Sequence, residues 1–139
     1  MHRSRAGRLA RLGSHVYCRY ERAGNAEDFG AAITHIETAL KATPEDHLQR
    51  ESRLMSLGSY LSSRYEQTGI LEDLELAIDA WVTAWNIPTA SILERIESAS
   101  CAAGELVFGP PATSEQLTRA YSLLHSATHS YIVLLTSFL

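Results

Sequence analysis

Cysteine is scarce in this chain, with Cys18 and Cys101 the only two in 139 residues. Two cannot build a disulfide framework, and their spacing fits no zinc pattern. A reducing setting is the default for such a chain, and the cytoplasm is the expected location. No run of apolar residues is long enough for a membrane span. The tail Tyr131–Leu139 reaches about half the required length. No stretch alternates with period two and no Asn-Gly pair marks a hairpin, so a sheet has no support. The first 15 residues hold four arginines and no apolar core, which is not a signal peptide. A transit peptide shares that composition. Arg5 and Arg8 recur as Arg50 and Arg53, however, which assigns the stretch to the body of the protein.

What is present is a repeat. Residues 8–33 and 53–78, aligned at an offset of 45, are identical at 13 of 26 positions. The pairs include Arg8/Arg53, Leu12/Leu57, Gly13/Gly58, Tyr20/Tyr65, Gly24/Gly69, Asp28/Asp73 and Ala32/Ala77. A fixed period of this size marks stacked units, which bind partners more often than they do chemistry.

The units read as helices. Leu54, Leu57, Gly58, Leu61 and Tyr65 recur at steps of three and four, as do Leu74, Ala77, Ile78, Trp81, Ala84 and Trp85. Gly24 and Gly69 sit where a left-handed residue closes a helix. Asn25 is placed to cap the next one, with Glu27 and Asp28 in its first turn, whereas Ile70 leaves the equivalent junction without a polar cap. Thr43-Pro44-Glu45-Asp46 reads as a helix start, and Ser91–Glu94 and Thr113–Gln116 have capping-box spacing. Pro88 and Pro110-Pro111 break what precedes them. The predicted helices are 4–22, 26–42, 46–67, 71–86, 91–107 and 114–136. Short connections make them three antiparallel hairpins. The expected architecture is an all-α solenoid forming one domain over 1–139, with units at 2–44, 46–88 and a divergent 91–136. Gly13 and Gly58 lie inside helices at a cost of roughly 1 kcal/mol against Ala. The repetition of that cost implies a close helix approach at both.

Several residues in these units carry a resemblance. Ala32 and Ala39 stand seven apart with Pro44 twelve after the first, and Ala77 and Ala84 repeat the spacing with the proline moved to Pro88. Together with Leu12-Gly13 and Leu57-Gly58, this resembles a tetratricopeptide repeat. The unit exceeds the common 34 residues, and so resembles the long, kinesin-light-chain type. The strings DHLQRESRLMSLGSYLSSRYEQTGILEDLELAI and AWNIPTAS resemble repeat arrays of filamentous and mushroom-forming fungi, many of which precede a caspase-like CHAT peptidase domain. The resemblance covers residues 2–90 and fades over 91–139. No CHAT domain is present, so the chain reads as a short member or a fragment of a longer product. HEAT repeats share the period range, but the alanine spacing and the Leu-Gly pairs favour tetratricopeptides.

The function this resemblance implies is a non-catalytic protein–protein interaction scaffold without a cofactor, regulating an attached or partner CHAT-type peptidase. Candidate binding residues lie off the apolar stripe of the first helices: Arg11, His15, Arg19, Ser56, Tyr60 and Ser63. An alternative is an RNA- or anion-binding protein using the basic first helix, since residues 1–22 hold six arginines against Glu21 alone. That segment has few aromatics, which places nucleic acid second. His125 and His129 share a helical face but have no third metal ligand nearby. His15 and Cys18 lie one turn apart without the rest of a nucleophilic site. Cys101 reads as a small core residue. Trp81 and Trp85 continue the stripe of Leu74 and Ile78 and read as core. The apolar tail departs from the polar surface of a capping helix, so self-association or marginal stability is expected.

Overall fold

The computed structural model describes residues 2–24, 27–45, 47, 49–108 and 113–138. Six helices account for nearly all of them: α1 (His2–Ala23), α2 (Glu27–Lys41), α3 (Arg50–Thr68), α4 (Leu71–Trp85), α5 (Ile92–Phe108) and α6 (Ser114–Thr136). No strand occurs among the described residues. The fold is all-α. Helices pair as α1/α2, α3/α4 and α5/α6; α2 then packs on α3, α4 on α5, and α3 reaches α5. Packing between chain neighbours, hairpin after hairpin, is the order expected of an α-solenoid.

The helix ends follow local chemistry. Gly24 (φ 69°) and Gly69 (φ 73°) adopt the left-handed conformation. Their amides donate to the carbonyls of Tyr20 and Tyr65 at 2.6 and 2.7 Å, closing α1 and α3. Thr113 and Gln116 form a reciprocal capping box at α6. Ile70 offers α4 no side-chain cap. Asn25, Asp46 and the pair Pro110-Pro111 lie outside the described residues.

The start of α3 differs from expectation. It begins at Arg50, four residues after the predicted 46. The Thr43 hydroxyl donates back to the Ala39 carbonyl instead of capping forward, and Arg50 Nη1 donates to the carbonyls of Leu40 and Thr43. Both groups satisfy the end of α2, so Thr43 serves that end rather than the next beginning. The same contact recurs one unit on. Arg95, 45 residues after Arg50, donates from Nε to the Trp85 carbonyl at 2.7 Å, and its guanidinium lies 4.9 Å from the Trp85 ring centre.

One core cluster runs from Val16 through Ile33, Ile36, Leu61, Ile78, Trp81 and Ala103 to Ala127, drawing on all three hairpins. Each fully buried Leu, Ile or Trp contributes on the order of 1.5–3 kcal/mol. Trp81 and Trp85 are both core, at 5% and 9% exposure. The repeat alanines Ala32, Ala39, Ala77 and Ala84 are fully buried. The third unit keeps the device with Ala120 and Ala127, also seven apart and buried.

The two helical glycines sit at contacts. A Cβ on Gly13 would stand 3.3 Å from the Ala32 carbonyl oxygen, and one on Gly58 would stand 2.7 Å from Cδ1 of Trp81. Gly58→Ala is therefore expected to lower stability by about 1–3 kcal/mol, because the enclosed indole must move. A helix-propensity gain of roughly 1 kcal/mol opposes that loss. Gly13→Ala should fall within about 1 kcal/mol of the parent, since propensity there balances a milder contact. Urea unfolding of both variants tests this, and a Gly58→Ala protein as stable as the parent would refute the close-approach reading.

Candidate functional site

Each of the first two hairpins is fastened by the same ion pair. Arg19 donates from Nη2 and Nε to the two carboxylate oxygens of Asp28 at 2.7 and 3.2 Å. Arg64, 45 residues on, donates likewise to Asp73 at 2.7 and 2.9 Å. Both acids lie in the first turn of the second helix, where the helix dipole also favours them. A planar guanidinium matches a carboxylate in this two-pronged geometry, so each pair fixes the angle between its helices. Arg19, expected in the groove, is thus half of an internal clasp.

Between hairpins, α1 meets α3 through aromatic and hydroxyl contacts. Tyr17 stacks on Tyr60 with ring centres 4.5 Å apart. The Tyr17 hydroxyl lies 2.8 Å from Ser63 Oγ, and the Tyr60 hydroxyl 3.3 Å from Ser14 Oγ. Tyr60 is 5% exposed. Two more expected groove residues, Tyr60 and Ser63, therefore join hairpins, and Tyr60 cannot be replaced without disturbing the core. A single step off the apolar stripe of α3 still points inward because α1 covers that flank. His15 is exposed on α1.

Arg11 and Ser56 do come together. With Gly7, Ser14, Ser52 and Arg53 they line a cleft of about 460 Å³ between α1 and α3. Arg53 lies there too, outside the candidate set. It is buried, and burial pushes its pKa down. Its Nη1 donates to Thr43 Oγ1 and its Nη2 to Gln49 Oε1, while Nε has no acceptor among the described residues. The signal available in the sequence was the Arg8/Arg53 identity, which marks a position but not its burial.

On the opposite flank of α3, Glu51 is buried and accepts a hydrogen bond from Ser98 at 2.8 Å. Burial pushes the Glu51 carboxyl above its ordinary 4.5, against the lowering effect of the Ser98 bond. Asp28 moves the other way, held below its ordinary 3.8 by the Arg19 hydrogen bonds.

The remaining candidates stay apart. Cys18 is exposed and Cys101 half-buried, with burial raising the Cys101 thiol. His125 stacks beside Tyr121, and His129 borders an apolar recess with Ile92, Val133 and Leu134. No group of three or more metal-ligating side chains occurs among the described residues. No helix among the described residues is long and apolar enough to cross a membrane. No protein-family model, curated protein or solved structure matches the chain.

The two shifted carboxyls have opposite linkage. A raised folded pKa means the folded state takes up the Glu51 proton first, so acidification towards 4.5 adds stability. Asp28 contributes stability above 3.8 that is lost as the pH falls through its depressed folded value. Glu51→Gln is expected to be more stable than the parent at neutral pH and to lack the gain on mild acidification. Asp28→Asn should lose stability at neutral pH and narrow its deficit in strong acid. Urea midpoints across the acid range check both, and a Glu51→Gln midpoint below the parent's at neutral pH would refute the burial argument.

Proposed function

We propose that the chain is a non-catalytic protein–protein interaction module of the tetratricopeptide type, with first helices presenting its binding groove. The observation that carries this reading is the cleft in which Arg11 and Ser56, equivalent but different residues of successive units, face the same space. Invariant positions such as Arg19/Arg64 and Asp28/Asp73 are spent on internal clasps. The residues that vary between units are left to read a ligand. By resemblance, the setting is the fungal cytoplasm and the role is regulation of an attached or partner CHAT-type peptidase.

A photo-crosslinking residue at Ser56, introduced in the native host, is the direct test. One discrete polypeptide should be captured, and Arg11→Glu should reduce capture about tenfold, the loss of roughly 1.4 kcal/mol, without lowering the melting temperature. Capture unaffected by Arg11→Glu would place the binding face elsewhere. Genomic sequence downstream of Leu139 that encodes a His/Cys peptidase would supply the context.

Two observations favour additional roles. Arg5, Arg8, Arg11 and Arg22 are exposed on α1, a distribution suited to RNA. Phosphate-backbone binding would weaken steeply between about 50 and 200 mM salt, and salt-insensitive partner binding would exclude it. The second observation is an unpaired apolar face. Tyr121 and Leu124 on α6 are exposed at 69% and 44%, and Leu12 on α1 at 45%. Leu57, the repeat equivalent of Leu12, is instead partly buried against the core. Self-association through these faces should give a concentration-dependent sedimentation coefficient that Leu124→Glu abolishes. A parent chain that sediments as a monomer at every concentration would rule it out.

A further inference from the structure

Among the described residues, Arg53 is a buried cation without a counter-charge. Neither of its hydrogen-bond acceptors, Thr43 and Gln49, is acidic, and its Nε donor has no acceptor among the described residues. Burying a guanidinium in this state is unfavourable unless something supplies the missing charge. The repeat register shows what is missing. Arg53 occupies in α3 the position that Ser98 occupies in α5, and Ser98 bonds to Glu51 of the preceding first helix. The position equivalent to Glu51 in α1 is Ala6, which is fully buried. The acid that would answer Arg53 is replaced by a methyl group. Gly7 beside it keeps the backbone near, with a notional Cβ 3.9 Å from Arg53 Nη2.

The described residues that line the cleft bordering Arg53 include a second cation and no acid. Arg11 lines it and has no ion-pair partner among the described residues. The hydroxyl of Ser56 is uncommitted among the described residues, whereas Ser14 and Ser52 donate to the carbonyls of Ala10 and Gln49. One cleft is therefore lined by the buried Arg53 guanidinium, the exposed Arg11 and the Ser56 hydroxyl. Two positive charges match a dianion better than a monoanion. A phosphomonoester brings a charge of about −1.5 to −2 at neutral pH and three acceptor oxygens.

We propose that the α1–α3 cleft binds a phosphomonoester, with Arg53 as buried anchor, Arg11 as outer clamp and Ser56 as a hydrogen-bond donor. In a groove that takes polypeptide, the bearer is a phosphorylated serine or threonine of the partner. That last step rests on the proposed interaction function, while the phosphate chemistry rests on the cleft alone.

Titration calorimetry and thermal shift with inorganic phosphate, a phosphoserine peptide, its unphosphorylated twin and acetate test the proposal on the full chain. Phosphate should bind saturably and raise the melting temperature, with acetate at least tenfold weaker. Affinity should fall as the pH drops below about 6, where the ester loses its second charge. Arg11→Ala should weaken phosphate about tenfold, as loss of one charge-assisted contact does. Arg53→Met, which removes the buried charge but keeps the volume, should abolish binding and leave the fold intact or more stable. Ala6→Glu supplies the counter-charge internally and should also abolish binding while raising the melting temperature. Tighter binding of the phosphopeptide than of inorganic phosphate supports a polypeptide bearer. Equal affinities retain the anion site and overturn the peptide reading. No saturable phosphate binding by the parent, or undiminished binding by a folded Arg53→Met protein, overturns the site.

Discussion

Close backbone approach is the constraint on which this molecule depends. The second helices carry alanines where they meet their neighbours, and the first helices carry Gly13 against the Ala32 carbonyl and Gly58 against the Trp81 indole. Ala103, 45 residues after Gly58, is almost fully buried at the equivalent position of α5. Small residues there allow interhelical contacts short enough for Trp81 and Ile36 to be enclosed. Without that proximity the Arg–Asp clasps could not close and the Tyr17–Tyr60 stack would separate. The packing is cooperative in the usual sense: each contact is modest, and each requires the others' geometry.

Polar groups in this interior are organised by the repeat but not equally satisfied by it. Arg50 and Arg95 make the same contact to the end of the preceding second helix, which ties hairpins together at a fixed interval. The clasps do the same within hairpins. Against this regularity, Glu51 and Arg53 stand out as a buried acid bonded to a neutral serine and a buried base bonded to neutral acceptors. They lie on opposite flanks of one helix, each facing a neighbour that lacks the complementary charge. Repeats that diverge after duplication produce such mismatches. A mismatch that opens onto a cleft has solvent, or a ligand, to answer it.

The divergence of the third unit is also physical rather than total. Arg95, Ala103, Ala120 and Ala127 preserve the scaffold, while the side chains on the outer face of α6 turn apolar. The loss of similarity over 91–139 therefore reflects relaxed surface positions and an α5 that ends early, at Phe108, which shifts α6 relative to the 45-residue register. Alanines seven apart in 114–136 were the visible trace of that continuity.

Helix number, order and most boundaries were legible from residues alone, because periodicity and left-handed glycines act over a single turn. So was the role of Gly13 and Gly58, since a repeated local cost implies a repeated contact. The start of α3 was not legible, as the Thr43 hydroxyl had two possible partners and it bonds back to Ala39 while accepting from Arg53, ten residues on. The candidate groove was only half legible. Arg11 and Ser56 line one cleft, but Arg19, Tyr60 and Ser63 are bound to other helices, and Arg53 lines that cleft from outside the candidate set. Local propensity is a property of neighbours in the chain and can be read there. Whether a polar side chain faces water, an acid or another helix depends on the angle at which hairpins stack, and that angle exists only once the tertiary structure has formed.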